Sequence, residues 1–414
     1  MILNAEQLEQ QARKLALTHN PDGARRQGKA LWKSFHRDME SLRKYAALLK
    51  QEGAVCSQPA EEWLLDHADF MEEQALSVRR GLGGIASGRL PMLRGSDEWR
   101  ATAICREYLS LVDGAYDADT FAAFVNAYQE AAVLTIAECW SFPVLLRVAL
   151  IRRYAAVMRS VRERRKMCEQ ADAILEPLFR ERDKPDGSAV RDALEKAGIP
   201  MPLSGGLIVY LASRLNEWTD DAAAVRDWLV CSLDNGAESL NRLITYEHRL
   251  QASYEVAAGN IIRSLRSLAR GEWESVFEQI CVAERTLREE RAGTYALMTA
   301  ESRHTLRTRV ERLAQRMRVP ENLVAERAVM LAGRHADNTE AGASESVDGK
   351  PGPNAPLPPA APMSPTICST LPEWPNCSVR CANAPIRAAC PRRSCCGADR
   401  RLILRCWPDC SPRR

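Results

Sequence analysis

Two aspartates one residue apart, Asp117 and Asp119, are the first place to look for chemistry, since a D-x-D pair can hold a divalent metal against a diphosphate. Their context points elsewhere. The pair follows a D-G turn at Asp113 and opens an amphipathic run from Thr120 to Ala131, where aspartates cap a helix and complement its dipole. Glycoside chemistry needs two carboxylates facing one sugar, and Glu72, Glu73, Glu138, Glu289 and Glu290 are the candidates. Nothing in their spacing pairs them. Glutamates at helical positions are usually solvated or matched by a base one turn away, as Lys166 could match Glu163. His19, His36, His67, His248, His304 and His335 are dispersed without ligand spacing. The stretch RSVRERRK, Arg159 to Lys166, could meet phosphate or lipid headgroups, but reads as a solvated helix face. GLGGIASG, Gly81 to Gly88, lacks the preceding strand and the G-K-[ST] ending of a phosphate loop, so it is expected to be a flexible connector. Cys377 and Cys381 are spaced like Cys406 and Cys410, which imitates a four-thiolate zinc module, yet the surrounding prolines and arginines do not resemble a folded knuckle. No catalytic, cofactor-binding or metal-binding residue is assigned, and no cofactor is implied.

The elements that would have to position such groups are helices. From residue 1 to about Gly333, apolar residues recur three and four apart, as in the stripe Trp32, Phe35, Met39, Leu42, Tyr45 and Leu49. Helices are expected at Trp32 to Lys50, from Pro59 to the glycine-rich stretch, and at Trp99 to Leu111, Ala118 to Ala131, Ile136 to Ala173 and Ala189 to Lys196. They continue at Gly206 to Trp218, Ala222 to Cys231, Ala237 to Arg270, Trp273 to Glu290, Ala300 to Arg316 and Pro320 to Ala332. Pro143 should kink the Ile136 helix by removing one amide donor. Turns fall at Asp113-Gly114, at Pro185-Asp186-Gly187 and at Asn235-Gly236, the last of which could instead close a β-hairpin. The expected fold class is therefore all-α, a multi-helix bundle or array over 1–333 with a sub-boundary near 184–187.

With 57 basic against 54 acidic residues, the charge is too balanced to imply a dedicated nucleic-acid or anionic-membrane surface. The most apolar window, Thr135 to Met158, carries Glu138, Arg147, Arg152 and Arg153 and is expected to be a buried helix and not a transmembrane span. No apolar core follows a basic start at the N-terminus, so a cytoplasmic location is expected.

The word order of the helical part resembles the N-terminal region of cyclic β-1,2-glucan synthases. HRDMESLRKYAALLKQEG (36–53) and AEEWLLDHADFMEEQ (60–74) resemble its opening, and RLPML (89–93), the stretch from Asp113 to Ile151 and PLSGGLIVYLASRL (202–215) continue it. The similarity is strongest from Glu247 to Met298, and it covers about residues 32 to 333. Where relatives tend to read LLDNF and DPAG, this chain has Leu65-Asp66-His67-Ala68 and Glu290-Arg291-Ala292-Gly293. The resemblance implies a large membrane enzyme that builds β-1,2-glucan from UDP-glucose, with transferase, glucoamylase-like and phosphorylase-like domains that this chain does not contain. The family's transferase signature, a D-x-D after a strand and a later Q-x-x-R-W, does not map onto this sequence, so no catalytic residue is carried over. Two functions stay open. One is a non-catalytic scaffold or docking region whose partners are the remaining synthase domains or a membrane-associated synthase. The other is an independent protein- or glucan-binding module using Trp140, Trp218 or Trp273, although helical spacing favours the core for each.

After His335 the character changes. Residues 334–362 are polar and rich in Gly and Pro, and are expected to form a disordered linker. Residues 363–414 hold eight of the 14 cysteines with excess Pro and Arg, the composition of a GC-rich gene read out of frame. MSPTICSTLPEWPN (363–376) can be encoded by bases which, from the third nucleotide, read VAYYLLDAAGVAE, resembling the H-V-x-Y-Y-L-L segment of relatives. A frameshift between His335 and Met363 is expected, with a disordered tail whose cysteines form no designed disulfide or metal site.

Overall fold

In the computed structural model, the structure describes residues 4–344 apart from short breaks at 26–27, 52–57, 87–89, 182–186, 200–202, 218–222, 232, 234–235, 272 and 292. The all-α expectation holds. The chain runs through α1 (Ala5–Thr18), β1 (Pro21–Arg25), α2 (Gly28–Gln51), α3 (Pro59–Asp66), α4 (Ala68–Ala86), β2 (Leu90–Leu93), α5 (Arg100–Leu111) and α6 (Ala118–Gln129). It continues through α7 (Ile136–Glu181), α8 (Gly187–Lys196), α9 (Gly205–Glu217), α10 (Ala223–Cys231), α11 (Gly236–Arg270), α12 (Trp273–Ile280) and α13 (Val282–Arg288). The last helices are α14 (Thr294–Leu297), α15 (Ala300–Met317) and α16 (Glu321–Ser344).

Local chemistry explains the ends. Asn4 caps α1 by accepting from the Gln7 amide at 2.8 Å while the Gln7 side chain accepts from the Asn4 amide at 3.1 Å, a reciprocal capping box. Asp117 accepts from the Thr120 amide at 3.0 Å and so starts α6. Flanking Asn235-Gly236, α10 and α11 are both helical, which removes the hairpin alternative. Asn235 itself and the Pro185-Asp186 turn lie outside the described residues. The Trp273 helix ends early, at Cys281, because the Gln129 side chain donates to the Ile280 carbonyl at 2.7 Å and takes it out of the helical ladder. Likewise the Pro59 helix is interrupted at His67, between α3 and α4.

Helix α7 runs unbroken through Pro143 and Pro177. Proline 143 cannot donate to the Cys139 carbonyl four residues back, and the Trp273 indole fills the vacancy at 3.2 Å. Among the described residues, the one piece of sheet is an antiparallel pairing of β1 with β2, irregular between Asp22 and Ala24. It unites segments about seventy residues apart that are too short to show a period of two. α16 runs to Ser344, past the start of the stretch expected to be a linker, and residues 345–414, with the tail cysteines and the frameshift, lie outside the described residues.

Two cores organise the helices. The larger is built around the aromatics Phe35, Tyr45, Trp99, Tyr108, Phe121, Phe124, Phe142 and Phe277, with α1 to α7 and α11 to α16 contributing. The smaller gathers Ala171 and Leu175 of α7, Val190 and Leu194 of α8, Leu207 and Leu211 of α9 and Leu229 of α10. Both sides of the KPDG stretch therefore feed one small core, and α7 and α11 pass through both regions.

The flexible-connector reading of Gly81–Gly88 is corrected. Residues 81–86 form the last turns of α4, while Ser87 and Gly88 lie outside the described residues. A Cβ at Gly81 would stand 2.4 Å from Val144 Cγ2, so the missing side chain lets α4 press against α7. Gly83 has nothing within 4 Å. Gly81→Ala should therefore cost about 1–2 kcal/mol through overpacking, while Gly83→Ala should add about 0.5–1 kcal/mol through helix propensity. Urea midpoints of the two variants test this, and a stabilised Gly81→Ala would refute the close contact.

Candidate functional site

Most of the carboxylates that the sequence offered for chemistry are engaged in structural contacts. Glu138 is fully buried, accepts from Arg100 at 2.8 and 2.5 Å, and also receives the Thr135 amide at 3.0 Å. Burial works against the Arg100 charge, but the hydrogen bond and charge of Glu138 outweigh it and hold the guanidinium pKa above its ordinary value. Glu72 pairs with Arg43 at 2.5 Å across α2 and α4, and Glu290 accepts from the Tyr295 amide at 2.9 Å. Glu289 is the C-cap residue of α13, and Glu73 is exposed on α4. Asp117 caps a helix and Asp119 lies in its first turn, as the D-G context implied.

Three further buried carboxylates follow the same pattern. Glu61 accepts from the Tyr45 hydroxyl at 2.5 Å and from Arg165 at 3.3 Å. Glu247 pairs with Arg164. Glu284 receives Tyr295 at 2.5 Å, Arg288 at 3.0 Å and Arg307 at 3.1 Å. Burial, then these hydrogen bonds, push the Tyr45 and Tyr295 hydroxyls far above their ordinary range, so neither ionises.

Arg159 to Lys166 is not a solvated face. Arg159 reaches Asp38 at 2.9 Å, Arg162 lies 5.6 Å from the Tyr45 ring, Arg164 meets Glu247, and Arg165 joins Glu61 and Glu169. Arg159, Glu163 and Lys166 stay exposed, and no bond joins Glu163 to Lys166 among the described residues. The histidines are scattered: His19 faces the Tyr128 hydroxyl at 3.0 Å, His36 stacks on Trp32, and His67 meets Trp63 edge-on. Burial, with Arg100 nearby, lowers the pKa of His19. Among the described residues, no three His, Cys, Asp or Glu stand together as a metal set.

Two of the tryptophans offered as a glucan platform, Trp140 and Trp273, are half-buried and packed against the core. Trp140 stacks on Phe277 at 4.2 Å with the Arg307 guanidinium 5.4 Å from its ring, and Trp273 serves Cys139. Trp218 lies outside the described residues.

What sequence reading missed is a groove of about 720 Å³ formed by α2, α5 and α7. Asp38 is shared by Arg152 at 3.5 Å and Arg159 at 2.9 Å, while Arg106 spans Glu98 at 3.3 Å and Glu107 at 2.6 Å. Arg37 lines the groove in the open, and the buried Thr102 hydroxyl has no partner. The groove offers closely mixed donors and acceptors for a polar ligand, without an aromatic wall. No local signal could have revealed it, because its charged residues come from separate stretches between Arg37 and Arg159. The structure also joins two thiols far apart in sequence. Cys139 and Cys281 are both buried, and hydrogen bonding between them, with burial, raises the Cys139 pKa well above that of a free thiol, leaving it unreactive.

No family model matches the chain. A cyclic beta-(1,2)-glucan synthase, NdvB of Rhizobium meliloti (strain 1021), is 29% identical over 301 residues, which is 72% of this chain and 10% of that protein. The chain thus spans about a tenth of the length of the curated relative that it matches. An all-helical unit whose acidic residues tie helices together is, over most of its length, a partial homologue of a cyclic β-1,2-glucan synthase.

Proposed function

We propose that this chain is a non-catalytic helical scaffold or docking region of a cyclic β-1,2-glucan synthase, working beside transferase and glycoside-active domains. The observation that carries the reading is that the 301-residue similarity to NdvB falls on a chain whose buried carboxylates are occupied as helix-to-helix cross-links. A glycosyl-transfer centre needs carboxylates free to hold a metal or to exchange a proton with a sugar oxygen. Here Glu61, Glu138, Glu247 and Glu284 already answer to a guanidinium or a phenol. The tryptophans Trp140 and Trp273 supply core area, which weighs against the stacking platform of an independent glucan-binding module. No described helix is long and apolar enough to cross a membrane. The proposal places the unit in the cytoplasm against the rest of a synthase.

A chimera tests it. NdvB carrying residues 4–344 of this chain in place of its own matching segment should form β-1,2-glucan from UDP-glucose in isolated membranes at a rate within about threefold of its parent, because the unit holds parts together and performs no bond-breaking step. Deletion of the segment should abolish synthesis. Glucose transfer or glucan hydrolysis by the purified chain alone, lost on Glu138→Gln, would show a catalytic unit and end the proposal.

A further inference from the structure

One face of α11 stands apart from the rest of the molecule. Its inward side, with Ala258, Ile261, Ile262, Leu265 and Leu268, is buried in the larger core, and the Ser264 hydroxyl donates to the Gly114 carbonyl at 2.7 Å. The outward side carries Arg242, Arg249, Arg263, Arg266 and Arg270, all exposed. Many arginines elsewhere are matched to carboxylates, as at Arg43, Arg100, Arg106, Arg159, Arg164, Arg288 and Arg307, although Arg147 donates to backbone carbonyls and Arg162 lies against the Tyr45 ring. On α11 only Arg242 has such a partner, Glu238 at 2.5 Å. Among the described residues, no carboxylate lies within ion-pair reach of Arg249, Arg263, Arg266 or Arg270. Arg263 donates to Asn260 at 2.7 Å and Arg266 lies against His67 and the Phe70 ring, none of them an acid. Glu238 and Glu255 are the exposed acids of the helix, against five guanidiniums.

The spacing is regular. Arg242, Arg249, Val256, Arg263 and Arg270 follow one another at seven residues, and Tyr246, Ser253, Asn260 and Ser267 run beside them. Seven residues advance about 10.5 Å and drift about 20° around a helix, about 80° over the four steps from Arg242 to Arg270, so these side chains form a gently winding stripe along one side. Over its 35 residues the helix extends for about 50 Å. Within the row Tyr246 is 61% and Val256 52% exposed. A depression of about 580 Å³ at the C-terminal end is lined by Arg263, Arg266, Ser267, Arg270 and Gly271, without an acidic side chain.

We infer that the solvent face of α11 docks on a membrane surface carrying anionic phosphate headgroups. Each guanidinium presents a planar fork that matches two phosphate oxygens. A long stripe confined to one side of a helix can lie along a plane, and an exposed tyrosine and valine between the arginines can enter the headgroup boundary. The opposite face stays in the core, so docking requires no refolding. This inference is independent of the scaffold function proposed above, since it rests on the charge pattern alone.

Sedimentation of the full chain with lipid vesicles tests it. Binding should be strong to vesicles of 30% phosphatidylglycerol in phosphatidylcholine at 0.1 M salt, negligible to pure phosphatidylcholine, and largely lost at 0.5 M salt. The variant Arg249→Ala/Arg263→Ala/Arg270→Ala should lower the partition coefficient about tenfold or more. Lys14→Ala/Lys33→Ala/Arg80→Ala removes the same charge from other exposed positions and should change it less than twofold. Tyr246→Ser should weaken binding modestly without changing its salt dependence. Equal losses in both triple variants would reduce the effect to net charge, and undiminished binding by the α11 variant would place the contact elsewhere; either overturns the inference. So would tighter retention by duplex DNA than by the anionic vesicles, which would assign the face to nucleic acid.

Discussion

Arg307→Met should lower the stability of the protein by about 3 kcal/mol, because it removes the more buried of the two guanidiniums that neutralise a buried carboxylate. Arg307 is 2% exposed, donates to Glu284 at 3.1 Å, and lies 5.0 Å from the Phe277 ring and 5.4 Å from the Trp140 ring. Methionine restores the packing volume and keeps a sulfur over the rings, so the loss falls mainly on the charge. Glu284 would retain Tyr295 and the partly exposed Arg288, but its fully buried counter-charge would be gone. Pairing Arg307→Met with Glu284→Gln should recover a large part of the loss, since a neutral amide still accepts from Tyr295 and no charge remains buried. The urea midpoint of the main unfolding transition measures both. A single variant within 1 kcal/mol of the parent, or a double variant no better than the single, would show that the pair does not bear the α12–α13–α15 junction.

A second large effect is one of pH. Glu321, in the first turn of α16, accepts from the Ile136 amide at 2.6 Å and so ties α16 to the start of α7. Burial pushes its pKa up from the ordinary 4.5 to about 7; the amide bond opposes this, and the charges of Glu311 and Glu138 add to it. Glu311 is raised as well, chiefly by burial. Between about 4.5 and 7 the folded state therefore holds a proton that the unfolded chain has released. The contribution is complete below the lower value and is lost as pH rises toward the upper one, amounting to about 3 kcal/mol on the usual conversion. Glu321→Gln keeps an acceptor for Ile136 and removes the titration. The variant should match the parent at pH 4.5 and exceed its stability at pH 8 by about 2–3 kcal/mol, read from urea midpoints at the two values. A parent more stable at pH 8 than the variant would reverse the assigned sign.

The sequence by itself determined what depends on neighbours a turn or two away. The stripe from Trp32 to Leu49 predicts the buried face of α2, and Phe35, Met39, Leu42, Tyr45 and Leu49 are all buried. Asp117 was legible as a helix start because a cap needs only an acceptor three residues before an amide. The word order from Glu247 to Met298 pointed to the glucan synthase relative through resemblance. Only the tertiary structure decided where each charge goes. Arg164 and Glu247, or Arg100 and Glu138, are far apart in the chain, and whether a guanidinium meets water or a buried carboxylate depends on how two helices cross. For the same reason RSVRERRK read as solvent-facing and proved to be tied to α2, α3 and α11. Gly81 read as a loop because glycine is a poor helix former, but a 2.4 Å approach of Val144 rewards its missing side chain more than propensity penalises it. The bare row of arginines on α11 was visible as a sequence, yet its lack of acidic partners became a property of the molecule only once every neighbouring helix was in place.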